Sequence, residues 1–287
     1  MMKLSFAGRR IGPSMFVLCS LGLLLAQAPP GAQGPPGAQL VGPRGPLLPA
    51  PPPAPKPGKT AAPVDFTGYW VSPVMEDWRW RMVTPPKGDF ASVPITAEAF
   101  KVGQAWDPAK DEAAGLQCKS YGAPAIMRVP GRLHITWLDD NTLKIETDAG
   151  TQTRLFHFNK PPSANEPATW QGYSEANWER PVRGEGDPRN DFPPIFSSRT
   201  GVRGKSLEVV TTHLRAGYLR KNGVPYSENT MVEEFYDYRK APNNDEWFTV
   251  TTVVHDPKYL NVPFITSTDF KKLSAATGWN PTPCSAR

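Results

Sequence analysis

The sequence predicts an all-β protein, an antiparallel β-barrel with one or two short helices. Three observations carry this. Segments with strand-type alternation recur at short spacing from Gly68 onward. Turn residues, rather than long helices, separate them. With 39% hydrophobic residues, nine Trp, eight Tyr and thirteen Phe, the chain can build a real core, which excludes wholesale disorder.

Taken in order, Gly68 to Val74 opens the domain, and Trp78-Arg79-Trp80-Arg81-Met82 alternates apolar and basic side chains as a half-buried strand does. Thr96 to Trp106 is the best helix, with Thr96 as its N-cap, and Asp107-Pro108 starts a second, shorter one. Strands follow over Arg132–Leu138, Thr142–Thr147 and Thr151–Phe158, joined at Asp139-Asp140-Asn141 and Asp148-Ala149-Gly150. Trp170–Trp178, Ser206–Leu214, Val232–Tyr238, Trp247–His255 and Phe264–Thr268 complete a set of nine or ten. Closing such a set into a barrel removes exposed edges. Residues 180–205 interrupt the pattern and read as a long loop, a candidate lid over one barrel mouth.

The domain itself spans 64–287. Ahead of it, Lys3, Arg9 and Arg10 precede an apolar run from Met15 to Ala26, and Ala26-Gln27-Ala28 has the form of a cleavage site. Residues 1–28 therefore read as a signal peptide, because the run is shorter than the roughly 20 residues that span a bilayer. Residues 29–63 hold 13 prolines and read as a disordered Pro/Gly-rich spacer. The expected location is exported, periplasmic or extracellular. With the signal removed, Cys118 and Cys284 remain, an even pair and a disulfide candidate.

Charge narrows the partners. The formal balance of +5 belongs to the tail: residues 1–63 hold Lys3, Arg9, Arg10, Arg44, Lys56 and Lys59 and no acid, which leaves 26 bases against 27 acids beyond them. A body near neutrality lacks the electrostatics of a nucleic-acid binder. No phosphate-binding glycine loop, H-E-x-x-H, C-x-x-C or EF-hand loop occurs, so no cofactor is expected. Ser174 matches G-x-S-x-G only up to its last position and sits in a strand, without the elbow a nucleophile needs.

Two resemblances add to this. Phe66-Thr67-Gly68-Tyr69-Trp70 resembles the Gly-x-Trp opening of lipocalins, in which the Trp plugs one end of the barrel. From Cys118 onward the chain resembles a large group of exported bacterial proteins with a lipocalin-like, calycin-type barrel. The carriers are Cys118 with Gly122 and Pro124, Arg154-Leu155-Phe156-His157, Trp170-Gln171-Gly172-Tyr173-Ser174 followed by Trp178-Glu179, and Leu207 to Thr212. Gly223 to Glu228 and Val254-His255-Asp256-Pro257 with Tyr259 and Pro263 complete them. Val224 and Tyr226 stand where that group has histidines, so a role resting on those is not carried over. The resemblance implies a barrel and no established activity.

Candidate chemistry centres on His134, His157, His213 and His255, all in predicted strands and on faces that carry threonine. Those faces look either into a polar lumen or out at water. If inward, His213, His134 and His157 are candidate acid–base residues, with Arg215 and Tyr226 holding an oxyanion. Tyr218, Trp137, Trp170 and Trp247 are candidate ligand-binding residues. Glu179, Glu234 or Asp256 can act as a base if buried.

Three functional classes follow. The first is a barrel that binds a small hydrophobic or aromatic molecule in its lumen. The second is a cofactor-independent lyase, isomerase or hydratase on the same barrel. The third is an envelope interaction module mounted on the spacer. Three histidines converging in a closed cavity favour the enzyme; histidines scattered outward with an apolar lumen favour the binder; a packed lumen with no cavity favours the interaction module.

Overall fold

The computed structural model describes residues 54–178 and 206–286. The expected signal peptide, most of the expected spacer, the candidate lid and Glu179 lie outside the described residues. Nine strands close a barrel: β1 (Gly68–Val71), β2 (Arg132–Asp139), β3 (Thr142–Thr147), β4 (Thr153–Phe158), β5 (Tyr173–Trp178), β6 (Ser206–Thr212), β9 (Met231–Lys240), β10 (Glu246–His255) and β11 (Phe264–Leu273). A separate two-stranded sheet joins β7 (Gly217–Tyr218) to β8 (Pro225–Tyr226). Around the barrel the order is β1-β11-β10-β9-β6-β5-β4-β3-β2.

An odd number of strands cannot close with antiparallel neighbours alone, because direction must return to itself after one circuit. One pair breaks the expected antiparallel pattern: β4 and β5 run parallel, with Phe156 opposite Ser174. A parallel step needs a crossover of a dozen or more residues, and the connection 159–172 supplies it.

Helices are short: α1 (Gly58–Ala61), α2 (Trp78–Arg81), α3 (Ala97–Ala105), α4 (Pro108–Ala113) and α5 (Ala123–Ile126). The Thr96 hydroxyl accepts from the Ala99 N–H, and the Asp107 carboxylate accepts from the Ala109 N–H, so both expected caps are present. Trp78–Met82, expected as a strand, is instead the helical turn α2. The Arg81 guanidinium turns inward to Ser72 and to the Arg128 carbonyl while Trp78 stays exposed, which a flat strand in this place would not allow.

Alternation sets the core. The inward positions are Trp70 on β1, Leu133 and Ile135 on β2, Leu143 and Ile145 on β3, Phe156 and Phe158 on β4, and Leu207 and Val209 on β6. Tyr236, Phe248, Val250 and Phe270 come from the far side. Phe248 lies 4.6 Å from Trp70, 4.9 Å from Phe270 and 5.5 Å from Phe66, centroid to centroid.

Both barrel ends are covered. At one, residues 56–66 pack across the opening: Trp178 donates to the Gly58 carbonyl, Asn159 donates to the Lys56 carbonyl, and Phe66 stacks on Trp178. Chain expected to be spacer is thus fixed to the barrel from Lys56 onward. At the other, Phe90, Val93, Leu214, Leu219, Val224, Tyr226 and Leu260 join Val232, Val254 and Phe264 in a second apolar cluster. A disulfide joins Cys118 to Cys284. It ties the C-terminal segment to the turn Gln117–Tyr121.

Candidate functional surface

Among the described residues, closely packed side chains occupy the interior. Between its two apolar clusters lies a polar layer. Arg154 on β4 donates both terminal nitrogens to Glu234 on β9, at 2.9 and 2.6 Å, with both side chains 0% exposed. Arg154 also donates to Thr211, whose hydroxyl is 2.7 Å from that of Ser174. The Tyr236 hydroxyl donates to Glu234 at 3.4 Å. Burial raises the Tyr236 pKa well above its ordinary value, and the Glu234 charge adds to this, so the phenol is neutral. Phe156, Val209, Thr211, Val232, Glu234, Phe248 and Val250 are all 0% exposed. Among the described residues these side chains pack together in the middle of the barrel.

The four histidines scatter. His134, on the outer face of β2, stacks on Tyr69 at 4.2 Å, and its Nδ1 lies 3.2 Å from the Glu146 carboxylate. His157, on the outer face of β4, stacks on Tyr173 at 4.6 Å; burial lowers its pKa, and Lys160 lowers it further. His255 pairs with Glu233 across β10 and β9 at 2.8 Å. His213 shares strand parity with inward-facing Val209 and Thr211, but the chain leaves β6 at Thr212 and His213 takes φ 56°, so it sits at a bend. The structure does not bring His213, His134 and His157 together. Among the described residues, no group of three or more His, Cys, Asp or Glu is placed to hold a metal ion.

The β7–β8 hairpin does gather several expected residues on one flank. The Arg215 guanidinium lies 4.5 Å over the Trp170 ring. Tyr218 donates to Asp111, which also accepts from Lys119, each at 2.8 Å. Burial raises the Tyr218 pKa, and the bond to Asp111 adds to it. Tyr226 is fully buried, its hydroxyl wedged where a Cβ on Gly122 or Gly217 would clash, and burial raises its pKa too. Asp111 is satisfied on both sides, so this flank reads as a packed joint. Gly223 closes the hairpin at φ +85°, against the Trp106 ring, where no Cβ fits.

Two outer features remain. Trp137 borders an open groove of about 760 Å³, lined also by Lys59, Ala62, Pro63, Val64 and Asp65. On the other barrel end, the turn around α2 exposes Met75 (60%), Trp78 (66%), Met82 (61%) and Val83 (63%). Met82 escaped the sequence reading because it ended an apparent strand, whose apolar side is expected to be buried, and Met75 and Val83 because they lay just outside the expected strands. Trp247 lies on the outer wall beneath Arg239 and Lys271.

Fold and surface together define a closed nine-stranded barrel with a filled interior and an exposed apolar turn at one rim. No protein family, no curated protein and no solved structure matches this chain.

Proposed function

We propose that the barrel is a binding module that acts through its outer surface, the envelope interaction module among the three classes, carried on an exported chain. The observation behind this reading is the contrast between a filled interior and a held-out apolar turn. Exposed single hydrophobic residues are ordinary, but four large ones on one short turn mark an interaction site. The disulfide supports an oxidising compartment. No helix among the described residues is long and apolar enough to cross a membrane. The likeness to a lipocalin opening draws support from Trp70, which is fully buried and donates its ring N–H to the Phe66 carbonyl.

The test places a photo-crosslinking side chain at position 78 and, as a control, at position 177 on the outer wall. Adducts from position 78 alone are expected. A naphthalene-type fluorescent probe tests the opposite case. Saturable one-to-one uptake that survives Trp78→Ser with Met82→Ser, and is lost in Val250→Phe, would return the function to the interior.

A second reading rests on the groove beside Trp137. Its volume suits a small molecule, and its Trp137, Pro63 and Val64 walls with Lys59 suit an aromatic anion. On this reading the hydrophobic or aromatic ligand sits outside the barrel mouth. Trp137→Ala should abolish binding of such a compound in calorimetry; unchanged binding rejects the groove.

A further inference from the structure

The turn around α2 is built inside out. Residues 78 and 82 share one face of a helical turn, and residue 75 lies just before it, ahead of the left-handed Asp77. Trp78 and Met82 stand on that face and Met75 in the segment leading into it, all exposed. Arg81 points the other way. Arg81 bonds Glu76, Ser72 and the Arg128 carbonyl; Arg128 in turn donates to Asp77 at 3.0 Å. Arg81, Arg128 and Arg220 are each under 9% exposed. Arg220 lies 4.7 Å over the Trp80 ring and 5.9 Å over Phe264, which fixes the turn to the start of β11. There Val262 and Ile265 are also exposed, at 59% and 61%. Soluble proteins turn charged groups outward; here the Arg81 guanidinium is buried beneath the turn while large apolar side chains stand out.

We infer that the turn Met75–Val83 is a membrane hook that seats the barrel on the surface of a phospholipid bilayer containing anionic lipid. This deepens the surface-module reading and rests on it. Three features select a bilayer. First, the side chains suit it: Trp is favoured at the headgroup level, and unbranched Met adapts to a fluid partner. Second, the area is wrong for a stable copy-to-copy contact, because four side chains fall short of the roughly 800 Å² per partner that such an interface buries. A bilayer imposes no such threshold, since each inserted side chain adds separately. Third, the charge is complementary. Around the turn Arg79, Arg81, Lys87, Arg128 and Arg220 outnumber Glu76, Asp77, Asp89 and Asp269, a local balance of 5 − 4 = +1. Lys87 and Arg79 are exposed, where lipid phosphates would lie. Because the turn is braced from below, little ordering cost opposes insertion.

The experiment is flotation of the full chain with vesicles of phosphatidylethanolamine and phosphatidylglycerol, against vesicles of phosphatidylcholine alone. The wild type is expected to float with the anionic vesicles more than with the neutral ones. Trp78→Ser with Met82→Ser should reduce binding by roughly tenfold or more, since each removes one apolar anchor. Both residues are exposed, so the thermal midpoint should not move. Equal flotation of the variant overturns the hook and assigns binding to another part of the chain. Lipid-free self-association that the variant abolishes overturns it in favour of a second copy. Failure to float, with protein adducts still forming from position 78, ends the bilayer assignment but leaves the surface-module reading standing. Failure of both ends the two together.

Discussion

Arg154 and Glu234 form a doubly hydrogen-bonded ion pair in the middle of the barrel, on strands β4 and β9 that are not neighbours in the sheet. The pair therefore crosses the lumen and ties opposite walls. Burial alone would strip the Arg154 charge, but Glu234 outweighs it and holds the guanidinium protonated. Taking one partner away leaves a bare charge in the core. Arg154→Met should cost about 3–5 kcal/mol of unfolding free energy, measured by urea denaturation. Arg154→Met with Glu234→Leu should recover most of that loss, because an apolar pair of similar volume removes the stranded charge. A double variant as unstable as the single one would show that the pair is not the source of the loss.

Asp256 gives a pH dependence of defined sign. It accepts from the Ser227 N–H and hydroxyl, the Thr230 hydroxyl and the N–H groups of Lys258 and Tyr259. Burial pushes its carboxyl up, but these bonds win and hold its pKa below the ordinary value. A depressed folded pKa means that the ionised form binds the fold. Its contribution is full above the unfolded value of about 3.9 and is lost as pH falls through the folded pKa. Asp256→Asn should therefore be less stable than wild type at neutral pH, with the gap closing under acid. A gap that stays constant down to the acid-unfolding region would remove Asp256 from the acid response.

How much of this was legible depended on range. Local alternation gave the strand positions well: β3 covers Thr142–Thr147 as expected, and β10 differs from Trp247–His255 by one residue. The parallel β4–β5 pair was invisible because pairing is a long-range choice. For the histidines, parity fixed which residues share a face but not which face points inward. The Thr-bearing faces of His134, His157 and His255 proved to be the outer ones, while His213 escaped its strand at a bend. The Trp-Arg-Trp-Arg segment misled because two-residue alternation also fits one turn of helix when an arginine is the buried member. Arg154 and Glu234 lie in predicted strands, but nothing local says they meet. The cysteine pair was readable by counting alone.

That pair gives the third prediction. Cys118 and Cys284 are 166 residues apart, and the chain-entropy model sets about 5 kcal/mol as an upper value for so long a loop. The same tail has other ties: the Thr282 N–H donates to the Asp148 carbonyl at 2.8 Å, and Thr151 donates to the Thr282 carbonyl at 2.9 Å. No barrel strand passes through the bonded cysteines, so Cys118→Ser with Cys284→Ser should keep the β circular-dichroism signal. Its unfolding free energy should fall by about 2–5 kcal/mol. Alkylation without reductant should modify Cys19 alone where the N-terminal segment is retained, and all three cysteines after reduction. Two further modified thiols before reduction would reject the bond. A variant of unchanged stability would show instead that Thr282 and Thr151 hold the tail without it.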